Sequence, residues 1–484
     1  MSGVHPDRDS RPGAVDHGAP RDESGLRLFV QGRLDQLSSV ARKSLLDRTP
    51  DDEPQVARTV SAIIEDVRSR GDAALMDMAR RFDGARLDAV EIPRERWIDA
   101  ARNLDPGIRR ALDRAVANIR RFHEAQLPSD VSVEVEPGVR VTRRWTPLKR
   151  VGVYAPGGTA AYPSSVLMGV VPARAAGVRE IVVCSPPLPT GIPAPSVMAA
   201  CALGGADRLF AAGGAGAVAA LVLGTETIPS VDAVVGPGNR WVTEAKRQVA
   251  GRVLIDAPAG PSEVLVLADR SADARLVAAE LLAQAEHDPN AACVLVTPSS
   301  ELASAVREAL ARALATAPRR DIAAQALATA GAILVADTLT EATTFAEEYA
   351  PEHLSVMTAE PESTAARVST AGTTFVGSWA SVAYGDYMTG ANHVLPTAGR
   401  ARSFSGLSVQ HYLRSFTVQE ITREGAGALA DDVALLAEME GLPAHAVAAR
   451  ARSLASEGQR NGGAPRKPAD SVPDISTDAT REES

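Results

Sequence analysis

VGVYAPGG (151–158), EIVVCSPP (180–187), RLFAAGG (208–214) and VDAVVGPGN (231–239) are four short β-rich runs, each leading into glycine or proline at its end. SSVLMGVVPARAAG (164–177) and AVAALVLG (217–224) lie between them and have helical character. Strand alternating with helix is the pattern of parallel βαβ units, because a parallel neighbour can be reached only through a long crossover. A second series follows, in which SEVLVLA (262–268), ACVLVT (292–297), AILVAD (332–337) and LSVM (354–357) alternate with LVAAELLAQAEH (276–287), LASAVREALARAL (302–314) and EATTFAEEYA (341–350). The expected fold is therefore α/β, with two doubly wound parallel-sheet units. Upstream, Pro54 to Leu127 reads as helical, with Leu112, Val116, Ile119 and Phe122 as one apolar stripe and Pro128 as its stop. Polar, Pro/Gly-rich ends at 1–24 and 458–484 read as disordered tails.

Composition narrows the function classes. With 484 residues, 45% of them hydrophobic, the chain can bury a large core divided among domains. Only 4% are aromatic, which favours helices packed on parallel sheets over an all-β architecture. A net charge of -9 without a Lys/Arg block opposes binding to nucleic acid or anionic lipid. The longest apolar stretches, such as 166–171 and 215–223, fall far short of the roughly 20 residues of a membrane span. No signal peptide is read at the start. Cys184, Cys201 and Cys293 lack CxxC spacing, so neither a disulfide framework nor a cysteine zinc site is expected. The expected compartment is the cytoplasm.

In open α/β sheets, ligands bind beyond the carboxyl ends of strands, so the Gly-rich strand ends of 151–240 are the expected dinucleotide site. GAGAVA (214–219) matches G-x-G-x-x-A, but Asp232 begins the next strand rather than ending it, and Ala/Gly-rich turns also produce such matches. Among the histidines, His5 and His17 fall in the tail, His123 at a basic helix end and His411 beside a tyrosine. Each of these reads as a surface or hydrogen-bonded group. Gln284 and His287, three apart on a helix, can converge on one ion; the alternative is a helix-terminal His stabilised by the macrodipole. Glu352 and His353 stand where a helix stops and a strand begins, and could divide proton abstraction from an alcohol and activation of water. A helix end with an exposed Glu is the alternative there. Asp386 and His393 lie in the loop GDYMTGANHVLPT, as metal ligand and substrate contact or as turn formers. Glu440 and His445 lie five apart across a helix start, where local geometry decides nothing.

VGVYAPGGTAAYPSSVLM, LGTETIP, VVGPGNRWVTEAKRQV, IDAPAGPSEVLVLAD, LLAQAEHDP, APEHL, GDYMTGANHVLPT and EGLPAH occur in this order. Together they make the chain resemble the histidinol dehydrogenases over roughly residues 25 to 455. The resemblance implies one Zn2+ per subunit at Gln284, His287, Asp386 and His445, the last supplied by the other subunit of a homodimer with shared active sites. It also implies an amino-alcohol substrate touched by Ser262, Gln284, His287, His353, Asp386, Glu440 and His445. In that pattern His353 takes the alcohol proton and Glu352 activates water, while two NAD are reduced on the way from L-histidinol through the aldehyde to L-histidine. Tyr154, Gly216 and Asn239 occupy the NAD-contacting positions. Gly216 is a departure, because the family has Gln there, and Gly216→Gln is expected to restore a hydrogen bond to the dinucleotide.

The segmentation that accompanies this resemblance is a helical N-terminal part of the catalytic domain at 25–140 and an NAD-binding Rossmann-like domain at 141–262. A second Rossmann-like catalytic domain follows at 263–400, then a C-terminal dimer arm at 401–457, exchanged between subunits. The alternatives are a related zinc/NAD dehydrogenase of another small alcohol, such as a sulfonated diol, a catalytically silent binding protein, and aldehyde chemistry on Cys184 or Cys293. An acid at position 440 favours an ammonium-bearing substrate over an anionic one.

Overall fold

The computed structural model describes residues 26–48, 53–157, 161–257 and 260–457; the two tails expected at 1–24 and 458–484 lie outside the described residues. Numbered along the chain, the strands are β1 (Val30–Arg33), β2 (Val131–Glu136), β3 (Val139–Pro147), β4 (Arg150–Tyr154), β5 (Glu180–Ser185), β6 (Arg208–Ala211) and β7 (Ala233–Val235). They continue as β8 (Leu254–Ile255), β9 (Glu263–Ala268), β10 (Ala292–Thr297), β11 (Gly331–Val335), β12 (His353–Met357), β13 (Thr373–Val376) and β14 (Leu413–Ile421).

The described residues fall into two compact units: those within 26–128 and 147–414, and those within 129–146 and 415–457. The larger unit holds two parallel sheets, ordered β6-β5-β4-β7-β8 and β1-β11-β10-β9-β12-β13. In the first, the chain enters at the central β4, adds β5 and β6 on one side and then returns to build the other side; the second is wound the same way from β9 onward, with β1 at its edge beside β11. Helices Pro163–Ala175, Pro195–Gly204, Gly214–Leu223 and Arg240–Val249 follow β4 to β7 in turn. Every residue of β9 and β10 is buried, the burial expected of parallel strands covered on both faces. Side chains such as Val264, Val266 and Leu295, buried this way, each contribute about 1.5 to 3 kcal/mol.

The two series of strands thus form the parallel sheets that alternation implied, but three local readings need correction. The 25–140 stretch is not helical throughout, since β1 adds to the edge of the second sheet beside β11, and β2 lies within it. In helix Pro106–Glu124 the buried positions are Ala115, Val116, Ile119 and His123, while Phe122 is exposed. His123 is therefore a core histidine, its Nδ1 2.8 Å from the Ile119 carbonyl oxygen, because a four-residue step from Ile119 keeps it on the buried face. Helix Ala274–Ala285 also ends before His287, whose N–H still bonds the Gln284 carbonyl at 3.2 Å in a closing turn.

The smaller unit carries the sheet β14-β3-β2, whose β2–β3 hairpin is antiparallel, and helices Arg423–Met439 and Pro443–Glu457. An antiparallel sheet was not anticipated: the placing of β3 beside β14, a strand far along the chain, leaves no local trace. The buried apolar cluster recorded within this unit consists of Ala434, Ala437 and Ala446. Val131, Val133, Val135, Leu435, Leu436, Met439 and Val447 are exposed. Among the described residues no helix is long and apolar enough to cross a membrane.

Candidate active site

Parallel strands bring Ser262 and Glu263, at the start of β9, alongside Glu352 and His353, at the start of β12, with His353 in register with Val264. The site of the second sheet therefore gathers at its amino edge, not at the carboxyl edge that open α/β sheets usually employ. Helix Ala274–Ala285 runs back to the same edge and delivers Gln284 and His287 just ahead of β10. Helix Val382–Tyr387, after β13, brings Asp386.

The main chain of residue 263 holds both proton-transfer candidates. Its N–H donates to Glu352 Oε2 at 2.7 Å, and the Ser262 hydroxyl donates to the same oxygen at 2.6 Å. Its carbonyl oxygen lies 2.8 Å from His353 Nδ1. A carbonyl only accepts, so Nδ1 carries the hydrogen and the neutral ring keeps its lone pair on Nε2. The two side chains approach to 3.5 Å between His353 Nδ1 and Glu352 Oε2, both deeply buried. Burial pushes the Glu352 carboxyl well above its usual range; the bonds from Ser262 and Glu263 work against this, while the charges of Glu263 and Asp386 add to it. Burial pushes His353 down, opposed by Asp386, by the Glu263 carbonyl and by the charges of Glu263 and Glu280. A neutral imidazole and a carboxyl with raised proton affinity form a pair suited to general acid–base work near neutrality.

Gln284 is 2% exposed, and neither of its amide atoms has a hydrogen-bond partner among the described residues. A buried amide left unpaired is costly, which makes it a candidate donor to a bound group. Asp386 is buried and its charge acts on Glu352, His353 and His393, while His287, which is exposed, acts on His393. His393 is half-buried; its Nδ1 lies 3.1 Å from the Asp386 carbonyl oxygen and its Nε2 lies 3.5 Å from Ser165 Oγ. Among the described residues no three His, Cys, Asp or Glu side chains are grouped as a metal set. Gln284, His287 and Asp386 together offer two residues of those types. Glu440 and His445 belong to the smaller unit, where Glu440 caps helix Arg423–Met439 and His445 lies in the first turn of helix Pro443–Glu457, both exposed.

At the carboxyl edge of the first sheet, Tyr154 ends β4, and its hydroxyl accepts a 3.2 Å bond from Gly214 N–H at the start of a helix. Burial pushes the phenol up to about 12, so it stays neutral. After β7, Gly236 has φ +118, and a Cβ there would lie 2.1 Å from the Tyr154 carbonyl oxygen, so only glycine fits. Asn239 caps helix Arg240–Val249, its Oδ1 accepting from Trp241 and Val242 N–H. Arg240 pairs with Glu53, and Trp241 packs against the core of the first sheet. Asp232 accepts from the N–H groups of Lys149 and Arg150 at 3.0 Å each, a structural bond at the amino end of the sheet. A Cβ added to Gly216 would lie 2.6 Å from Met78 Sδ, so a side chain there is aimed into the packing against helix Asp72–Met78.

Three groups at these edges escaped the sequence reading. Lys246 Nζ bonds Asp256 Oδ1 at 2.6 Å and also the Gly236 carbonyl, while Asp256 Oδ2 accepts from Gly236 N–H at 2.7 Å. Glu263 is the third, a charged residue opening a strand whose remaining positions are apolar. That mismatch was the available signal. Cys184, Cys201 and Cys293 are buried free thiols pushed up by burial, the state of inert core cysteines rather than nucleophiles.

Comparison with known proteins places this geometry in a family. The family model described as Histidinol dehydrogenase matches residues 46–453. A histidinol dehydrogenase from Methanosarcina barkeri is 45% identical over 421 residues, 87% of this chain and 97% of its own length. One from Halobacterium salinarum is 49% identical over 398 residues, 82% of this chain and 93% of its own. The crystal structure of histidinol dehydrogenase from Elizabethkingia anophelis superposes with a TM-score of 0.84 at 33% identity, covering 90% of this chain and 99% of that one. With the alternating parallel sheets and the Glu352–His353 pair in place, the chain belongs to the histidinol dehydrogenase family of oxidoreductases.

Proposed function

We propose that this protein oxidises L-histidinol through L-histidinaldehyde to L-histidine, with His353 and Glu352 as its proton-transfer groups. The observation that carries the reading is the buried pair itself: both side chains are held on the main chain of residue 263, with Nε2 of His353 left as the free base. When bound, zinc would orient the amino alcohol from Gln284, His287, Asp386 and His445 of the partner subunit, and NAD at the carboxyl edge of the first sheet would accept hydride. His353 Nε2 takes the hydroxyl proton of the alcohol as its carbon is oxidised. Glu352, in its carboxylate form, takes a proton from the water that adds to the aldehyde. Ser262 has its hydroxyl engaged by Glu352, so it supports the water-activating carboxylate as well as facing substrate. The buried Gln284 amide, lacking a protein partner, favours its assignment as a ligand.

On this reading the two parallel sheets are Rossmann-like units, the first taking NAD near Tyr154 and Asn239. The smaller unit is the dimer arm. Its buried apolar cluster is three alanines, and Leu435, Leu436, Met439 and Val447 are exposed, apolar surface that a second subunit would cover. Three reduced, buried thiols accord with a cytoplasmic location. The test is stoichiometry: purified protein, supplied with histidinol and NAD, should form two NADH and one histidine per histidinol, and lose this activity on chelation until zinc is restored. Absence of NADH formation by zinc-replete protein would overturn the reading.

A further inference from the structure

Glu263 grips the two catalytic candidates through its main chain, and its side chain is itself gripped from behind. Arg48 Nε donates to Glu263 Oε1 at 2.9 Å and Arg48 Nη2 to Oε2 at 3.1 Å, a bidentate fork. The Ala398 N–H adds a third bond, to Oε1 at 2.8 Å. The pair is buried, with side-chain exposures of 11% and 3%. Arg48 is fixed in turn by the carbonyls of Leu45, Leu46 and Tyr349, and its guanidinium lies 3.5 Å from the centre of the Tyr349 ring.

The backbone gives an independent indication. Among the described residues, the non-glycine residues with positive φ are Ala350 (φ 50) and Ala398 (φ 57). Both border this network: Ala398 donates to Glu263, and Ala350 links Tyr349, which holds Arg48, to the Pro351–Glu352 turn. Left-handed backbone at alanine is strained, and such strain persists where surrounding contacts over-determine it, commonly at functional sites.

We propose that the Arg48–Glu263 pair is a positioning device for the active site: it fixes the main chain of residue 263 and thereby sets the placement of Glu352 and His353. This rests on the reading of those two residues as the proton-transfer groups. Arg48 and Glu263 are positioning residues, and neither has to touch substrate. A buried ion pair of this kind is a poor device for stability alone, since an apolar pair of similar volume often serves as well. Its value here is directional. The fork holds one carboxylate orientation, and that orientation fixes where the N–H and C=O of residue 263 point.

Two variants test this. Arg48→Lys keeps the charge but cannot form the fork. The paired variant Arg48→Met/Glu263→Met removes both charges together, so no buried charge is stranded. Both should lower kcat tenfold or more while leaving the KM for histidinol within twofold, and the paired variant should melt close to the parent. The groups facing the dyad include Asp386, Glu280, Glu263, His393 and the Ser262 hydroxyl. Removing both charges together leaves the net charge near the dyad unchanged, so in the paired variant the acid limb of kcat should stay in place while kcat falls. If the paired variant folds and matches the parent in kcat, the proposal is overturned. Should it not fold, an Arg48→Lys enzyme with parental kcat overturns it equally. A parent enzyme that does not oxidise histidinol would instead overturn the functional reading, which separates the two failures.

Discussion

Glu352→Gln separates the two oxidations. The amide is isosteric, and its oxygen can still accept from the Ser262 hydroxyl and the Glu263 N–H, so the frame around His353 should be kept. What is lost is the base that activates water. A positioned base contributes about a hundred- to ten-thousand-fold, which is about 2.7 to 5.5 kcal/mol of barrier. Histidinol should be oxidised to bound aldehyde at near the parental rate, and the enzyme should then stall. Rapid mixing followed by NADH absorbance should show one NADH per site in a fast phase and the second about a hundred-fold slower or more. The pH behaviour follows with a definite sign. Burial raises the proton affinity of Glu352, so in the parent the carboxylate is lost, and aldehyde oxidation slows, as pH falls through a value above the ordinary carboxylate range. That limb should vanish in the Gln variant. The same raised affinity means that the folded parent holds this proton more tightly than the unfolded chain, so its stability falls as pH rises from the ordinary value to the raised one. The amide of the variant carries no charge in place of the carboxyl, so the variant should be at least as stable as the parent above that window. Equal slowing of alcohol and aldehyde oxidation, or a second NADH at the parental rate, would refute the division of labour.

His353→Asn should slow the first hydride transfer about a hundred-fold or more, with added aldehyde affected less; because burial lowers this imidazole's affinity for protons, the acid limb of alcohol oxidation in the parent should lie below the ordinary histidine range. Gln284→Leu removes an amide whose burial without partners costs about 1 to 3 kcal/mol, so the metal-free variant should melt higher than the metal-free parent while its zinc content, by elemental analysis, falls. Unchanged zinc occupancy would remove Gln284 from the ligand set, and the same assay on His287→Ala and Asp386→Asn tests those positions. Gly216→Gln, with its Cβ 2.6 Å from Met78 Sδ, should cost about 1 to 3 kcal/mol of stability by overpacking and leave the KM for NAD no lower; a lower KM with an unchanged melting temperature would restore the lost-contact idea. Lys246→Met strands Asp256 in the interior and should cost about 3 to 5 kcal/mol, raising the KM for NAD more than that for histidinol because Gly236 loses its clamp.

What the sequence determined by itself is what depends on neighbours along the chain. Runs such as EIVVCSPP and ACVLVT differ in period and length from LVAAELLAQAEH, and local sterics and solvation suffice to tell strand from helix, hence parallel α/β. The residue types at 284, 287, 352, 353 and 386 could be named as a set because they recur within recognisable segments. What only the tertiary structure decided is what depends on approach between distant segments. The order of strands within each sheet, the gathering of Glu352 and His353 at an amino edge, and the pairing of Arg48 with Glu263 across 215 positions have no signature within any window of sequence. Nor could the sequence tell that position 216 faces Met78, or that residue 263 serves through its main chain, which is chemically the same in every non-proline residue. Side-chain chemistry is written residue by residue, whereas the direction in which a backbone N–H or a Cβ points is set by the packing of the whole fold.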